Sequence, residues 1–380
     1  PQETKRRASA EGGGSSDSEE EYDEDHPNLI GLDRMLNSIH KELDQVEGTM
    51  DFTSGGSPVP RRAPSDAQEP AATEQEEHEE EQASRVAVGS VTRRGMMHAN
   101  EDRMALLEFA DLLSEGTRAR LLEKSTTGSI PLFAVFDGHG GDKAAEESSK
   151  QLPRHIADAV EEAAQNHGDA DIDVGGVIAA AMSVGFERME EGLKKLYDEK
   201  GEKSGTCAVC VIMHDKDGQG VLTIANLGDC RAVIGRGART HLTCVPLTID
   251  HRANASEERN RIEKAGGFVH DKRALGDLIP SRTLGDFKTK AKCPGAVIAE
   301  PDVTSHVLLA EDCLLLLASD GLWDDLKSAR VMDIASKART PDKCVQEIAK
   351  AVIKKYGAKN TKPNDDLTVL ACYFNHLHCP

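Results

Sequence analysis

Leu132-Phe133-Ala134-Val135-Phe136-Asp137-Gly138-His139-Gly140-Gly141 is the stretch on which the fold turns. An unbroken apolar run of this length reads as a buried strand, and the acid, imidazole and glycines after it end it abruptly. The same texture returns at Cys207–Met213, Gly220–Ala225, Ala232–Ile234, Cys313–Ala318 and Leu367–Phe374, each bounded by Gly, Asp or Asn. Helical signals lie between. Asn254 with Glu257 reads as a capping box, and Gly266-Gly267 as a C-terminal stop. Thr340-Pro341 opens another helix, with Val345, Ile348 and Val352 on one face. Hairpin-like pairs without regular βαβ alternation predict an α+β fold, antiparallel sheets flanked by α-helices.

Composition narrows the function classes. The 380 residues carry 46 basic and 66 acidic side chains, a formal charge of −20. Such a balance, without a long basic run, excludes a nucleic-acid binder that works by neutralising phosphates. Apolar stretches such as Leu314 to Ala318 are far short of the ~20 residues of a membrane helix, so no transmembrane segment is expected. Nine cysteines without a dense framework point to a reducing compartment, cytoplasmic or nuclear. The sequence opens on Pro1 rather than Met, which leaves an upstream targeting segment open.

The acidity is concentrated. Residues 1–83 hold the runs Glu19 to Asp25 and Glu76 to Glu81, separated by Gly/Ser/Pro-rich pieces, and are expected to be a mostly disordered extension. Within it, Leu29, Leu32, Leu36, Ile39, Leu43 and Val46 have helical spacing, so an amphipathic helix is expected near 28–47. Lys5-Arg6-Arg7-Ala8-Ser9 and Ser16-Asp17-Ser18-Glu19-Glu20 resemble kinase sites. Residues 84–380 carry the strands and helices of the expected folded domain.

Acids at strand ends carry the chemistry. Asp137 and Asp320 each end an apolar strand and precede glycine. Asp229 sits in a turn between strands, Asp365-Asp366 precede the last strand, and Glu101-Asp102 follow Arg94-Gly95. Taken singly, each Asp-Gly pair also reads as an ordinary turn. If these carboxylates converge, their repulsion calls for a cation, and oxygen-only ligation selects Mg²⁺ or Mn²⁺.

Val135-Phe136-Asp137-Gly138-His139-Gly140-Gly141 resembles the signature of the metal-dependent Ser/Thr protein phosphatases of the type 2C class. Further blocks stand in that family's order: Asn100-Glu101-Asp102, Ser204-Gly205-Thr206, Asn226-Leu227-Gly228-Asp229, Leu247-Thr248-Ile249-Asp250-His251, Ser281-Arg282-Thr283-Leu284-Gly285-Asp286, Ser319-Asp320-Gly321-Leu322-Trp323-Asp324 and Asp365-Asp366-Leu367-Thr368. The resemblance implies a central sandwich of two antiparallel β-sheets with helices outside, and a site for two Mg²⁺ or Mn²⁺ ions at one end. It makes Asp137 the bridging carboxylate and puts the Gly138 carbonyl on one ion. Asp320 and Asp365 complete one ion's shell, and Glu101 serves the other. Asp102 stands behind the ligands, Asp229 and Asp324 match the positions of a weaker third ion, and His139 matches the general acid. A metal-bridged hydroxide would then hydrolyse phosphoserine or phosphothreonine on protein substrates, with no covalent intermediate. The chain is expected to be a monomer.

Several positions depart from the pattern. Met97 stands where the family places a phosphate-binding arginine, and methionine offers no such donors. Arg94 is the candidate to replace it. The alternative is a pseudophosphatase, a scaffold or binding module with weak or no activity. Asp366 replaces the usual asparagine and is expected to face solvent. Cys207 and Cys210 have redox-motif spacing, yet on a strand they face opposite sides, which favours core packing. The Lys- and Arg-rich stretch from His270 to Lys292 corresponds to the family's variable flap, read either as a surface greeting anionic phosphopeptides or as a solvated loop.

Overall fold

A computed structural model describes residues 86–374, apart from 97–98, 124, 167–171, 217, 239 and 358–364. The acidic extension, its amphipathic helix, its kinase motifs and Met97 lie outside the described residues.

In chain order the strands are β1 (Val86–Arg93), β2 (Arg103–Glu108), β3 (Pro131–His139), β4 (Gly205–Lys216), β5 (Gln219–Leu227), β6 (Arg231–Ala238), β7 (His241–Pro246), β8 (Val269–His270), β9 (Arg273–Ala274), β10 (Leu284–Gly285), β11 (Asp302–Val307), β12 (Asp312–Ala318) and β13 (Leu367–Phe374). The helices are α1 (Glu115–Leu122), α2 (Lys143–Asn166), α3 (Val174–Lys200), α4 (Ser256–Lys264), α5 (Phe287–Lys290), α6 (Asp320–Trp323), α7 (Ser328–Ala335) and α8 (Pro341–Gly357). No helix among the described residues is long and apolar enough to cross a membrane.

Two antiparallel sheets make the centre. One has the order β1-β13-β12-β6-β7, the other β11-β5-β4-β3-β2 with β10 paired to β4. Period-two alternation sorts each strand's side chains between the two faces of its sheet. Phe133, Val135, Cys207, Val209 and Val211 meet Ala232, Ile234, Leu315, Leu317 and Leu370 between the sheets. The alternate positions Leu132, Ala134, Phe136, Ala208 and Cys210 pack outward on Leu152, Ile156, Met182 and Phe186 of α2 and α3. On the other sheet, Leu314, Leu316, Val369 and Ala371 pack outward on Val331, Met332, Val345 and Ile348 of α7 and α8. The sandwich is therefore helix, sheet, sheet, helix, and Cys207 and Cys210 do belong to opposite layers.

Two local expectations are corrected. Asn254 does not cap α4: Ala255 holds the N-cap position without a side-chain bond. The Ala255 N–H closes a turn on the Arg252 carbonyl at 2.9 Å, which places Asn254 one residue too early. The acid after Phe136 also does not end its strand. Asp137, Gly138 and His139 stay in register with Cys207, Thr206 and Gly205. Gly266, at φ +86°, does stop the helix after Lys264.

Candidate active site

The site lies at one end of the sandwich. In each antiparallel pair, the end of one strand faces the start of its neighbour, so the segments carrying Glu101, Asp229, Asp320 and Asp365 gather there beside Asp137, near the end of β3. Asp137 follows Phe133 and Val135 on the inner face of β3, so its carboxylate enters the mouth between the sheets. The Asp320 N–H donates to Asp137 Oδ2 at 3.3 Å, joining strand ends 183 residues apart in sequence.

Gly138 is required by closeness. A β-carbon there would lie 2.3 Å from the Glu101 carbonyl oxygen, so only glycine lets these backbones approach. Glu101 is placed from the other side. Its N–H donates to Asp366 Oδ2 at 2.7 Å, and the Gly95 N–H donates to Asp366 Oδ1 at 2.7 Å. Asp366, expected to face solvent, is 2 % exposed. Its side chain turns inward because the backbone donors that follow β1 come within reach only in the folded sheet.

Asp102 stands behind Glu101. It is buried and accepts the Ser319 hydroxyl at 2.8 Å, and that hydroxyl accepts the Thr368 N–H at 3.0 Å. Burial pushes the Asp102 carboxyl up to about 7, with Asp366 and Asp365 adding to the rise against the Thr368 and Ser319 hydrogen bonds. Burial likewise holds Asp137 well above the usual carboxylate range, helped by the charges of Asp320, Asp102 and Asp229. Asp320 is raised by burial and then by Asp229, Asp365 and Asp324. Asp229, also raised by burial, accepts the Cys207 thiol at 3.3 Å. Asp365 accepts the Asp366 N–H at 2.9 Å and is exposed, as is Asp324 after α6.

Sequence reasoning missed three residues. Arg252 extends its guanidinium among Asp229, Asp320 and Asp324, at 3.1, 3.3 and 2.8 Å. Crowded acids call for a counter-charge, and that alone pointed toward a nearby cation. Asp286 Oδ2 accepts from His139 Nε2 across 2.7 Å. Burial would lower the His139 pKa, but the Asp286 hydrogen bond and charge outweigh it and hold the ring protonated to higher pH. Glu190 of α3 then braces this segment, taking the Gly285 N–H at 2.9 Å and Lys290 Nζ at 2.5 Å.

The basic stretch is thus less free than either reading of it. Lys290 pairs with Glu190, Lys292 with Asp277, and Arg282 with Glu258 and Asp302. Arg94 is exposed just before Gly95.

Among the described residues no three His, Cys, Asp or Glu side chains stand as a ready-made metal-binding group. The arrangement explains this: Arg252 occupies Asp229, Asp320 and Asp324, and the Asp320 N–H takes one Asp137 oxygen. The donors nevertheless fit a hard divalent cation. They are oxygen only, and burial together with mutual repulsion raises several of them, a repulsion that a dication would relieve.

The family described as protein phosphatase 2C matches residues 95–365. Among curated relatives, the probable protein phosphatase 2C 22 of Arabidopsis thaliana is 31% identical over 63% of this chain and 59% of its own length. The human probable protein phosphatase 1N is 34% identical over 64% of this chain and 56% of its own. The match therefore spans under two thirds of these relatives. Protein phosphatase 2C homolog 2 of Schizosaccharomyces pombe is 30% identical over 72% of this chain and 68% of its own. The crystal structure of a serine-threonine phosphatase 2C from Toxoplasma gondii shares the fold, with a TM-score of 0.62 and 21% identity over 76% of this chain and 94% of its own. With strand-end carboxylates gathered at one mouth of a two-sheet sandwich and the family match running from Gly95 to Asp365, the chain belongs to the protein phosphatase 2C family.

Proposed function

We propose that this chain is a Mg²⁺- or Mn²⁺-dependent phosphatase that hydrolyses phosphoserine and phosphothreonine on protein substrates. One observation carries the reading: Asp137 and Asp320, from strand ends 183 residues apart, meet at the sheet mouth where burial and shared charge raise both carboxyls. Glu101, Asp137, the Gly138 carbonyl, Asp320 and Asp365 are the donors for two ions, with Asp102 supporting Glu101 from behind. Asp229 and Asp324, at the positions expected of a weaker third ion, both pair with Arg252. When bound, such ions lower the pKa of a water and offset charge on the phosphoryl oxygens.

The chain's own groups do the rest. His139, kept protonated by Asp286, gives a proton to the departing serine or threonine oxygen. Asp286 fixes which way the ring points, and Glu190 steadies the Asp286 segment through Gly285 and Lys290. Arg94, exposed at the rim, is the guanidinium offered to substrate phosphate. The free thiols Cys207 and Cys230 are buried and held protonated, so neither serves as a nucleophile.

The pseudophosphatase reading rested on Met97, which lies outside the described residues, and the described carboxylates give it no support. Turnover of a phosphothreonine peptide with Mn²⁺, abolished by chelator and by Asp137→Ala, is the expected result. A folded wild-type chain that binds Mn²⁺ but turns over no phosphopeptide would overturn the proposal.

A further inference from the structure

Arg252 stands within ion-pair distance of four carboxylates: Asp229 at 3.1 Å, Asp320 at 3.3 Å, Asp324 at 2.8 Å and Asp250 at 3.9 Å. Asp250 is already held by Arg231, whose Nε and Nη2 donate to its two oxygens at 2.9 and 2.7 Å. The partners left to Arg252 are Asp229, Asp320 and Asp324. Its backbone is pinned on both sides: the His251 N–H donates to the Gly228 carbonyl at 2.8 Å, and the Ala253 N–H to the Ile279 carbonyl at 2.9 Å. Residue 252 itself forms a β-bridge with Pro280.

Asp229 makes the demand for this cation plain. It is 2 % exposed, one oxygen accepts the Cys207 thiol, and the other faces Arg252. A carboxylate that deep is tolerated only beside a positive charge. Guanidinium does not deprotonate in proteins, and a tethered group never dilutes away. Asp324, across the same guanidinium, completes the clamp.

We propose that Arg252 is this chain's resident third cation: its guanidinium fills the place between Asp229 and Asp324 that a weak third divalent ion would take, so the site loads two ions rather than three. The inference rests on the metal-dependent reading above. A third ion entering here must break the Asp229 and Asp324 pairs together. Asp320 gives Arg252 one oxygen, Oδ2.

Mn²⁺ binding to the full, chelator-stripped chain, followed by calorimetry and by electron paramagnetic resonance of free Mn²⁺, tests this without reading activity. Wild type is expected to bind two ions and no third at millimolar metal. Arg252→Gln is expected to gain a further ion, its affinity rising at least about tenfold over any third-site binding in wild type. Arg252→Lys keeps a cation and is expected to keep the wild-type count. Arg188→Gln removes the same charge from the distant Glu162 pair and is expected to gain nothing. A third ion on wild type at the concentration that loads Arg252→Gln overturns the inference. So does an equal gain in Arg188→Gln, which would assign the effect to net charge. If Arg252→Gln does not fold, wild type and Arg252→Lys decide: three ions on either overturns it, two on both sustains it. Wild type that binds no ion at all brings down the metal-dependent reading as well, a result distinct from two tight ions with an unchanged weak one.

Discussion

Asp366 holds the Glu101 backbone from 265 residues away, its Oδ2 accepting the Glu101 N–H at 2.7 Å while Oδ1 accepts Gly95. Both bonds are charge-assisted and buried. Asp366→Ala should cost about 3 kcal/mol of unfolding free energy, from two donors left without that acceptor. Asp366→Asn keeps one acceptor and should fall between. Denaturant midpoints at neutral pH decide it, and an alanine variant as stable as wild type would refute the contact.

Asp137 repels its neighbours when no dication is present. Asp137→Asn should therefore stabilise the chelator-treated protein, within the range of about 1–4 kcal/mol seen when buried ionic groups are neutralised. In Mn²⁺ the order should reverse, because wild type gains binding energy that the variant lacks. Thermal melts with chelator and with Mn²⁺ give both comparisons. A less stable metal-free variant would show that Asp137 carries no such repulsion.

Gly138→Ala should damage stability and metal response together. Its added carbon would fall 2.3 Å from the Glu101 carbonyl, a backbone atom that cannot rotate aside. Overpacking of this kind costs about 1–3 kcal/mol. A variant with wild-type melting and wild-type Mn²⁺ dependence would contradict the close approach.

Asp286→Asn should separate substrates by their leaving groups. A phosphothreonine peptide needs a proton on its departing oxygen and should lose about 10²-fold in kcat, a low share of what a general acid supplies. An aryl phosphate with an acidic leaving group should lose far less. Equal losses would reduce Asp286 to a structural brace.

Glu258 predicts acid sensitivity away from the site. Burial alone would raise its carboxyl, yet Arg282 and Arg261, each at 2.8 Å, with Ser281 hold it down at about 2 from an ordinary 4.5. A depressed folded value contributes stability above pH 4.5 that is lost as pH falls toward 2. The stability gap between wild type and Glu258→Gln should thus be widest near neutrality and narrow on acidification. Denaturant midpoints at pH 7 and pH 3 measure it, and a gap independent of pH would contradict the linkage.

The strands were legible because fully buried sheet positions leave continuous apolar runs. Leu367–Phe374 matches its strand end to end, and the other runs grew by a few residues where polar ends continue the ladder. Strand-end acids were legible as a class, since glycine beside a carboxylate marks a crowded turn. Asp366 was misread because its partners, Gly95 and Glu101, are distant in sequence and share no period with it. Arg252 and Glu190 left no pattern: a single charge acquires its role from what the fold sets opposite it. Asn254 failed as a cap by one residue, the margin at which a turn and a helix start compete.

The first described strand zips to the last along eight consecutive residue pairs, Val86 with Phe374 through Arg93 with Leu367. During translation, β1 must therefore wait while the whole intervening chain emerges from the ribosome. Glu101 follows β1 and Asp365 precedes β13, so the nascent polypeptide cannot assemble its carboxylates until both strands have emerged. Clipping β1 or β13 should leave that mouth unfinished, whichever end is lost.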